Sequence, residues 1–407
     1  MNFSERIPAW PRFDASDEEN IKDVLHSRKW WRGNGVVGNA FEEAFARHLG
    51  VSHVRAVANG TLALELALDA LGVEPGDEVI VPACTFISTA SAVLRVGAWP
   101  VPVDVERHTL NIDVKAAEAA ITSRTACIIP VHMAGHAVDM PALIDLARRH
   151  QIPILEDAAH AHGARAFGAA LGAIGDASIF SFQSGKLMTC GEGGAVATKN
   201  AAIAERTFAL HSCGRPQGDT DYVHLMAATN MRLTEFQSAL LKGQLSRLTE
   251  QREQREQMAP FFESRLREAG LEPLSRKPYV EVHGRYMTMA WFDPDDFGGR
   301  DAGALSAELR GIGIPAYRCF PEIHRTAMFA AEALSKPHRS NRAAPPYSQI
   351  HTPVSASAAR EVIWFQHPLL LGDEDLLADV AAAVGSLRRG KGQVSMASTR
   401  LAPTATE

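Results

Sequence analysis

The sequence predicts an α/β fold with a mostly parallel sheet, followed by a smaller second domain. Two observations carry that reading. Between residue 51 and about residue 200, short apolar runs alternate with helical stretches, the pattern of strands joined by crossover helices. The chain is also 407 residues long, more than one ordinary core encloses.

The elements follow in order. Residues 1–35 read as an irregular arm rich in Pro, Trp and Gly, ending in "WWRGNG". Phe41, Phe45 and Leu49 then recur at helical spacing, and Gly50 supplies the stop. "HVRAVANG" is a strand and turn, "TLALELALDALG" a helix, and "DEVIVPA" a buried strand after a Pro-Gly turn. "ACIIPVHM", "IPILEDAA", "SIFSFQ" and "GAVATK" are further strand-length runs. Thr234 and Gln237 have capping-box spacing ahead of an apolar stripe of Phe236, Leu240, Leu241, Leu245 and Leu248. A long helix is therefore expected from 235 to past 250, carrying the chain into the second domain. The expected division is an arm over 1–35, a large domain over 36–255, a small domain over 256–390 and a disordered polar tail over 391–407.

Composition removes several function classes. The formal net charge is −6 and no basic stripe appears, which argues against nucleic acid as a partner. No apolar run approaches the length of a membrane span, and the opening "MNFSERIPAWPRF" has no signal-peptide core. The five cysteines are scattered without a CxxC pair, which fits a reduced, cytoplasmic protein.

In sheets of this class ligands bind beyond the carboxyl ends of the strands, and the residues with chemistry to offer cluster there. Lys186 in "FSFQSGKLMTCGEGG" stands between an aromatic strand and a glycine loop. A lysine becomes a nucleophile where its site depresses its pKa; elsewhere it is a solvated surface charge. Asp157 in "EDAAHAHG" stands at the end of the apolar run "IPIL" and suits a protonated ring nitrogen, a metal or a helix N-terminus. His160 and His162, one residue apart, would share a face if they lay on a strand, but no further ligand at zinc spacing follows. "NGT" at 59–61 opens a helix and offers N–H groups to an anion such as phosphate, or is a plain N-cap turn. Phe86 in "PACTFIST" suits a stacking face for a flat ring, with core packing the better general expectation.

A lysine, an acid, a phosphate cradle and a stacking face are together what pyridoxal phosphate requires. At "NGTLALELAL", "GDEVIVPACTFISTASAV", "PVDVERHTLNID", "PVHMAG", "EDAAHAHGA", "FSFQSGKLMTCGEGG" and "NMRLTEFQSALL" the chain resembles the DegT/DnrJ/StrS sugar aminotransferases, of fold-type I architecture. The resemblance runs from about residue 30 to 390. It implies pyridoxal 5'-phosphate held by Lys186 as a Schiff base, Asp157 at the pyridine nitrogen, His160 near the ring hydroxyl and Phe86 over one ring face. Gly60, Thr61, Ser181 and Gln183 would bind the phosphate. Asn230 of "NMRL" would reach the phosphate of a neighbouring subunit, which implies a homodimer with shared active sites.

Within that family "KWWRGNG", "FQSGKLMTCGEGG", "HSCGRP" and "NMRL" are most similar to 3-amino-5-hydroxybenzoate synthases of antibiotic pathways. Their reaction dehydrates an amino-dehydroshikimate-type substrate and makes its ring aromatic. The alternative is a glutamine- or glutamate-dependent transaminase of a ketosugar or ketocyclitol. A non-catalytic sensor of the same fold and a zinc hydrolase stand further off, since the sensor reading would suit loss of the lysine. Substrate-pocket candidates are Trp30, Trp31, His211, Arg215, Tyr317, Arg318 and His324. Arg215 suits a bidentate carboxylate, or is a loop arginine in a structural ion pair.

Overall fold

The computed structural model describes residues 2–330 and 343–388; the expected disordered tail, 391–407, lies outside the described residues. In the first half β1 (His53–Val57), β2 (Glu78–Pro82), β3 (Trp99–Val103), β4 (Thr125–Ile128) and β5 (Leu155–Asp157) are followed by the two-residue strands β6 (Arg165–Ala166) and β7 (Ala169–Ala170). Then come β8 (Ala177–Ser181) and β9 (Gly194–Thr198). The four-stranded ladder β1-β9-β8-β5 continues through the parallel bridges Ile128–Ile154 and Val131–Asp157 into the three-stranded ladder β3-β2-β4. β9 is antiparallel to both its neighbours, while β8–β5, β2–β4 and β2–β3 are parallel pairs. Strands β2, β8 and β9 are buried at every residue, as expected of a sheet covered on both faces.

Helices cover those faces. α1 (Ala15–Ser27) and α2 (Val37–Leu49) precede β1, and α3 (Gly60–Ala70), α4 (Ser88–Arg95), α5 (Val114–Ala119) and α6 (Met140–His150) fall between the strands. On one face Phe41 and Phe45 of α2 pack with Phe180 and Phe182. On the other, Leu64, Leu66 and Leu68 of α3 meet Val79, Val81 and Ile179. α2 ends at Gly50, whose φ of 75° gives the left-handed cap.

The expectation of an irregular arm is overturned by α1. Asp14 caps it, and the N3 partner in the capping box is Asp17, where a Glu or Gln is usual. Asp17 is buried and ion-paired with Arg247, 230 residues further along the chain. A polar helix held by a distant arginine leaves little apolar periodicity to read.

α7 (Ala201–His211) leads to α8 (Glu235–Glu268), which opens with the Thr234–Gln237 capping box and runs well beyond 250. Leu241 and Leu248 pack with the first core; Ala259, Phe262 and Leu266 pack with a separate one containing Ile363, Phe365 and Leu377. That second core sits under an antiparallel sheet. Its strands are β10 (Glu272–Pro273), β12 (Met287–Trp291), β14 (Val362–Gln366) and β13 (Ala316–Arg318), while β11 (Val280–Val282) pairs with β6. Among the described residues no helix is long and apolar enough to cross a membrane.

Candidate active site

β5 and β8 are parallel neighbours, so their carboxyl ends, Asp157 and Ser181, open on the same edge of the sheet. Beyond Ser181 the chain turns through Lys186 and returns as β9. Phe182 N donates to Gly193 O at 2.7 Å and Lys186 N to Gln183 O at 2.8 Å. Two distant segments clamp this loop. Trp10 Nε1 donates to Ser184 O at 3.0 Å, and His367 Nε2 lies 3.3 Å from Gly185 O. Trp10 and His367 pack edge to face, 4.6 Å between centroids.

Lys186 and Asp157 face each other electrostatically. Burial pulls the Lys186 amine down to about 8, against the opposing pull of Asp157. Burial pushes the Asp157 carboxyl above its ordinary value, although Ala159 N–H, Lys186 and Thr89 draw it down. Thr89 Oγ1 donates to Asp157 Oδ2 at 3.0 Å, and Ala159 N to Oδ1 at 3.2 Å. The preceding residue, Glu156, points to the opposite face of the strand. There it takes a 2.8 Å hydrogen bond with His132 Nε2 and accepts from the N–H groups of Gly172, Ile174 and Gly175. Burial raises the Glu156 pKa, but His132 and those N–H groups outweigh it and hold the carboxylate below its usual range. β5 thus carries a fully satisfied acid on one face and an under-compensated one on the other.

Gly60 opens α3 with Ser181 directly opposite; a Cβ there would lie 2.8 Å from the Ser181 Cβ. Asn59 Oδ1 caps the helix through Leu62 N, and Thr61 Oγ1 shares a 2.8 Å hydrogen bond with Ser88 Oγ. Gln183 is exposed, its Oε1 accepting from Gly185 N. Ala58 N donates to Met231 O and Val57 pairs with Arg232, so the strand of chain bearing exposed Asn230 runs beside the entrance to α3.

Two expectations are corrected. Phe86 is not core: it is 55% exposed, with Phe320 6.3 Å away. His160 and His162 do not share a strand face, because residues after Asp157 form a turn. His162 lies among Phe180 and Phe182, and burial drops its pKa to about 3. His160 stacks on Tyr286 at 4.4 Å, and its buried Nδ1 has no hydrogen-bond partner. Among the described residues no group of three or more His, Cys, Asp or Glu side chains converges as metal ligands.

The substrate-pocket candidates scatter. Arg215 is engaged within its own loop, donating from Nε to Asp219 Oδ2 and from Nη2 to Asp219 O, both at 2.7 Å. Trp31 is 52% exposed beside Arg232. Tyr317 stacks on Trp364 in the antiparallel sheet, 4.7 Å between centroids. His324 is buried near the end of β2, 3.7 Å from Glu322. Sequence reasoning missed Thr89, Trp10, Tyr286 and His367. Thr89 stood inside the quoted "PACTFIST"; the other three arrive from remote segments and carry no local spacing signal.

The family profile described as the DegT/DnrJ/EryC1/StrS aminotransferase family matches residues 11–384. The chain is 42% identical over 387 residues to the 3-amino-5-hydroxybenzoate synthase of Amycolatopsis mediterranei (strain S699), covering 92% of this chain and 97% of that one. It is 38% identical over 413 residues to the L-glutamine:2-deoxy-scyllo-inosose aminotransferase of Streptomyces lividus, 94% of each chain. The crystal structure of a 3-amino-5-hydroxybenzoic acid synthase superposes with a TM-score of 0.87 at 40% identity, over 94% of this chain and 98% of that one.

Proposed function

Since the chain belongs to the DegT/DnrJ/EryC1/StrS aminotransferase family, we propose that it is a pyridoxal-phosphate enzyme of the 3-amino-5-hydroxybenzoate synthase kind. It acts on an amino-dehydroshikimate-type substrate and makes the ring aromatic by loss of water. The observation that carries this reading is the 42% identity to such a synthase along nearly the whole of both chains.

The residues present fit pyridoxal phosphate. Asp157 is a buried carboxyl short of positive charge, which a protonated ring nitrogen would supply. The unpartnered His160 Nδ1 suits the ring hydroxyl. The first N–H groups of α3 with Gly60, Thr61, Ser181 and Gln183 suit the phosphate, and Phe86 offers an exposed face to the ring. When bound, the cofactor supplies an electrophilic carbonyl and an electron sink. The chain supplies the rest. Lys186 Nζ, partly neutral near pH 8, would hold the cofactor. When free, its amine would take the proton from the carbon beside the substrate's amine, and the resulting ammonium would give a proton to the departing hydroxyl.

The same reading includes a homodimer. Tyr222 (74% exposed), Leu225 (62%), Val223 and Trp31 form apolar surface around the loop that ends at Asn230, of the kind that a second copy covers. Asn230 would then serve the partner's phosphate. The five cysteines are free thiols, which suits a reducing cytoplasm.

Gly60→Ala is expected to weaken pyridoxal-phosphate affinity about tenfold, because the added methyl must push Ser181 out of the cradle. Titration of the cofactor into cofactor-free protein reads this directly. Wild-type affinity would place the phosphate elsewhere.

A second reading, glutamine-dependent transamination of a ketocyclitol, is favoured by the 38% identity to the S. lividus aminotransferase. The visible spectrum of the loaded protein separates the two. We expect the band to persist with glutamine and with glutamate, and an amino-dehydroshikimate-type substrate to yield the aromatic product. Bleaching by either donor moves the assignment to the transaminase. Absence of a band after adding the cofactor removes both.

A further inference from the structure

Tyr286 meets the centre of the site from a different part of the chain. Its ring stacks on His160, 4.4 Å between centroids and 20° between planes. The Lys186 amine nitrogen lies over its face, 4.5 Å from the centroid. His367 stands 6.1 Å away.

The backbone that delivers this ring is strained and held. Arg285, just before it, has a φ of 55°, and Ala134 in the turn it faces has a φ of 57°. Both are left-handed conformations that residues with side chains avoid. The two segments are laced together: Gly284 N donates to Gly135 O at 2.9 Å, and Tyr286 N to Ala134 O at 3.1 Å. The approach is so close that a Cβ on Gly135 would lie 2.7 Å from the Gly284 Cα. Arg285 itself is anchored to α8, by Nε to Glu256 at 2.9 Å and by Nη1 to Glu263. Strain of this kind persists where the surroundings over-determine it, and it gathers at functional sites.

We propose that Tyr286 is a catalytic residue: its ring face receives the Lys186 ammonium, favours the charged form and holds the amine in place while it carries protons. This rests on the reading of Lys186 as the reactive lysine. The groups around that amine show why a face is useful. Asp157 opposes it with negative charge. His160, His162 and His367 also face it, and burial keeps all three neutral. Arg255 stands behind His162 and His367. Burial pushes the Tyr286 phenol up to about 12, so it stays neutral through the working range. An aromatic face stabilises an ammonium without titrating beside it.

The test uses full-length protein freed of pyridoxal phosphate. The rate of Lys186 acetylation by acetic anhydride, read by peptide mass spectrometry across about pH 6 to 10, gives the midpoint of the amine. Tyr286→Phe keeps the face and is expected to keep the wild-type midpoint. Tyr286→Leu is expected to lower it by about half to one unit, which is about three- to tenfold more free amine near neutrality. An unshifted Leu variant, or a Phe variant that shifts as far as Leu, overturns the proposal; the folded state of each is checked by circular dichroism. Borohydride trapping of the cofactor on wild-type protein tests the premise separately. An adduct on a lysine other than Lys186 overturns the reading on which the proposal rests, before any Tyr286 variant is made.

Discussion

Lys186→Ala is expected to lower kcat/KM by at least about a thousandfold and to abolish both the visible band of the loaded protein and borohydride trapping of the cofactor. It is also expected to leave the cofactor-free protein as stable as wild type or more so at pH 7. The sign follows from the depressed amine. Its pKa is about 8 in the fold against an ordinary 10.5. Between those values the unfolded chain binds the proton more tightly, so wild-type stability rises with pH through that window. Below it the desolvated ammonium carries the full penalty, and alanine removes it. Thermal unfolding of the cofactor-free proteins from about pH 7 to 10.5 should therefore show a gap in favour of alanine that closes as pH rises. A variant that retains turnover would remove Lys186 from the chemistry, and one that simply fails to fold would show that Lys186 is structural.

How much of this was legible beforehand depended on distance along the chain. Lys186 and Asp157 could be found because strand and loop signals sit next to them: "SIFSFQ" before a glycine cluster, "IPIL" before an acid. The same locality made α2, α3 and the start of α8 readable, since stripe and cap lie within a few residues. What surrounds Lys186 was not readable. Trp10, Tyr286 and His367 reach it from the arm and from beyond α8, and their convergence is a tertiary fact. α1 was missed because it buries only Asp17, paired with Arg247, and Val24, too little for an apolar stripe. Phe86 departs from the general rule: core is the sound expectation for a phenylalanine, and here the side chain is exposed. Arg215 shows a third limit. Residue type allowed either a carboxylate clamp or a local ion pair, and the fold of the loop sets Asp219 on its guanidinium.

Asp157→Asn separates the cost of the site from its use. The amide is nearly the same size, and its oxygen can still accept from Ala159 N–H or Thr89 Oγ1. What is lost is the charge. Burial raises the Asp157 pKa, so the folded state holds the ionised carboxylate at a disadvantage above the ordinary carboxylate range, and stability falls as pH rises through the folded pKa. The asparagine variant, free of that disadvantage, should match or exceed wild type in cofactor-free Tm at pH 7. It should nonetheless lose about a hundred- to a thousandfold in kcat/KM at saturating cofactor, since no charge remains to keep a ring nitrogen protonated. Its Lys186 midpoint should also fall, because Asp157 is the group that raises it. Turnover within about tenfold of wild type would remove Asp157 from the chemistry. Glu156, one residue earlier, supplies the contrast within the same strand. Its charge is met by His132 and by backbone N–H groups, so the fold is able to satisfy a buried carboxylate at this depth. That it does so for Glu156 and leaves Asp157 under-compensated locates the unmet charge on the face that Lys186 shares.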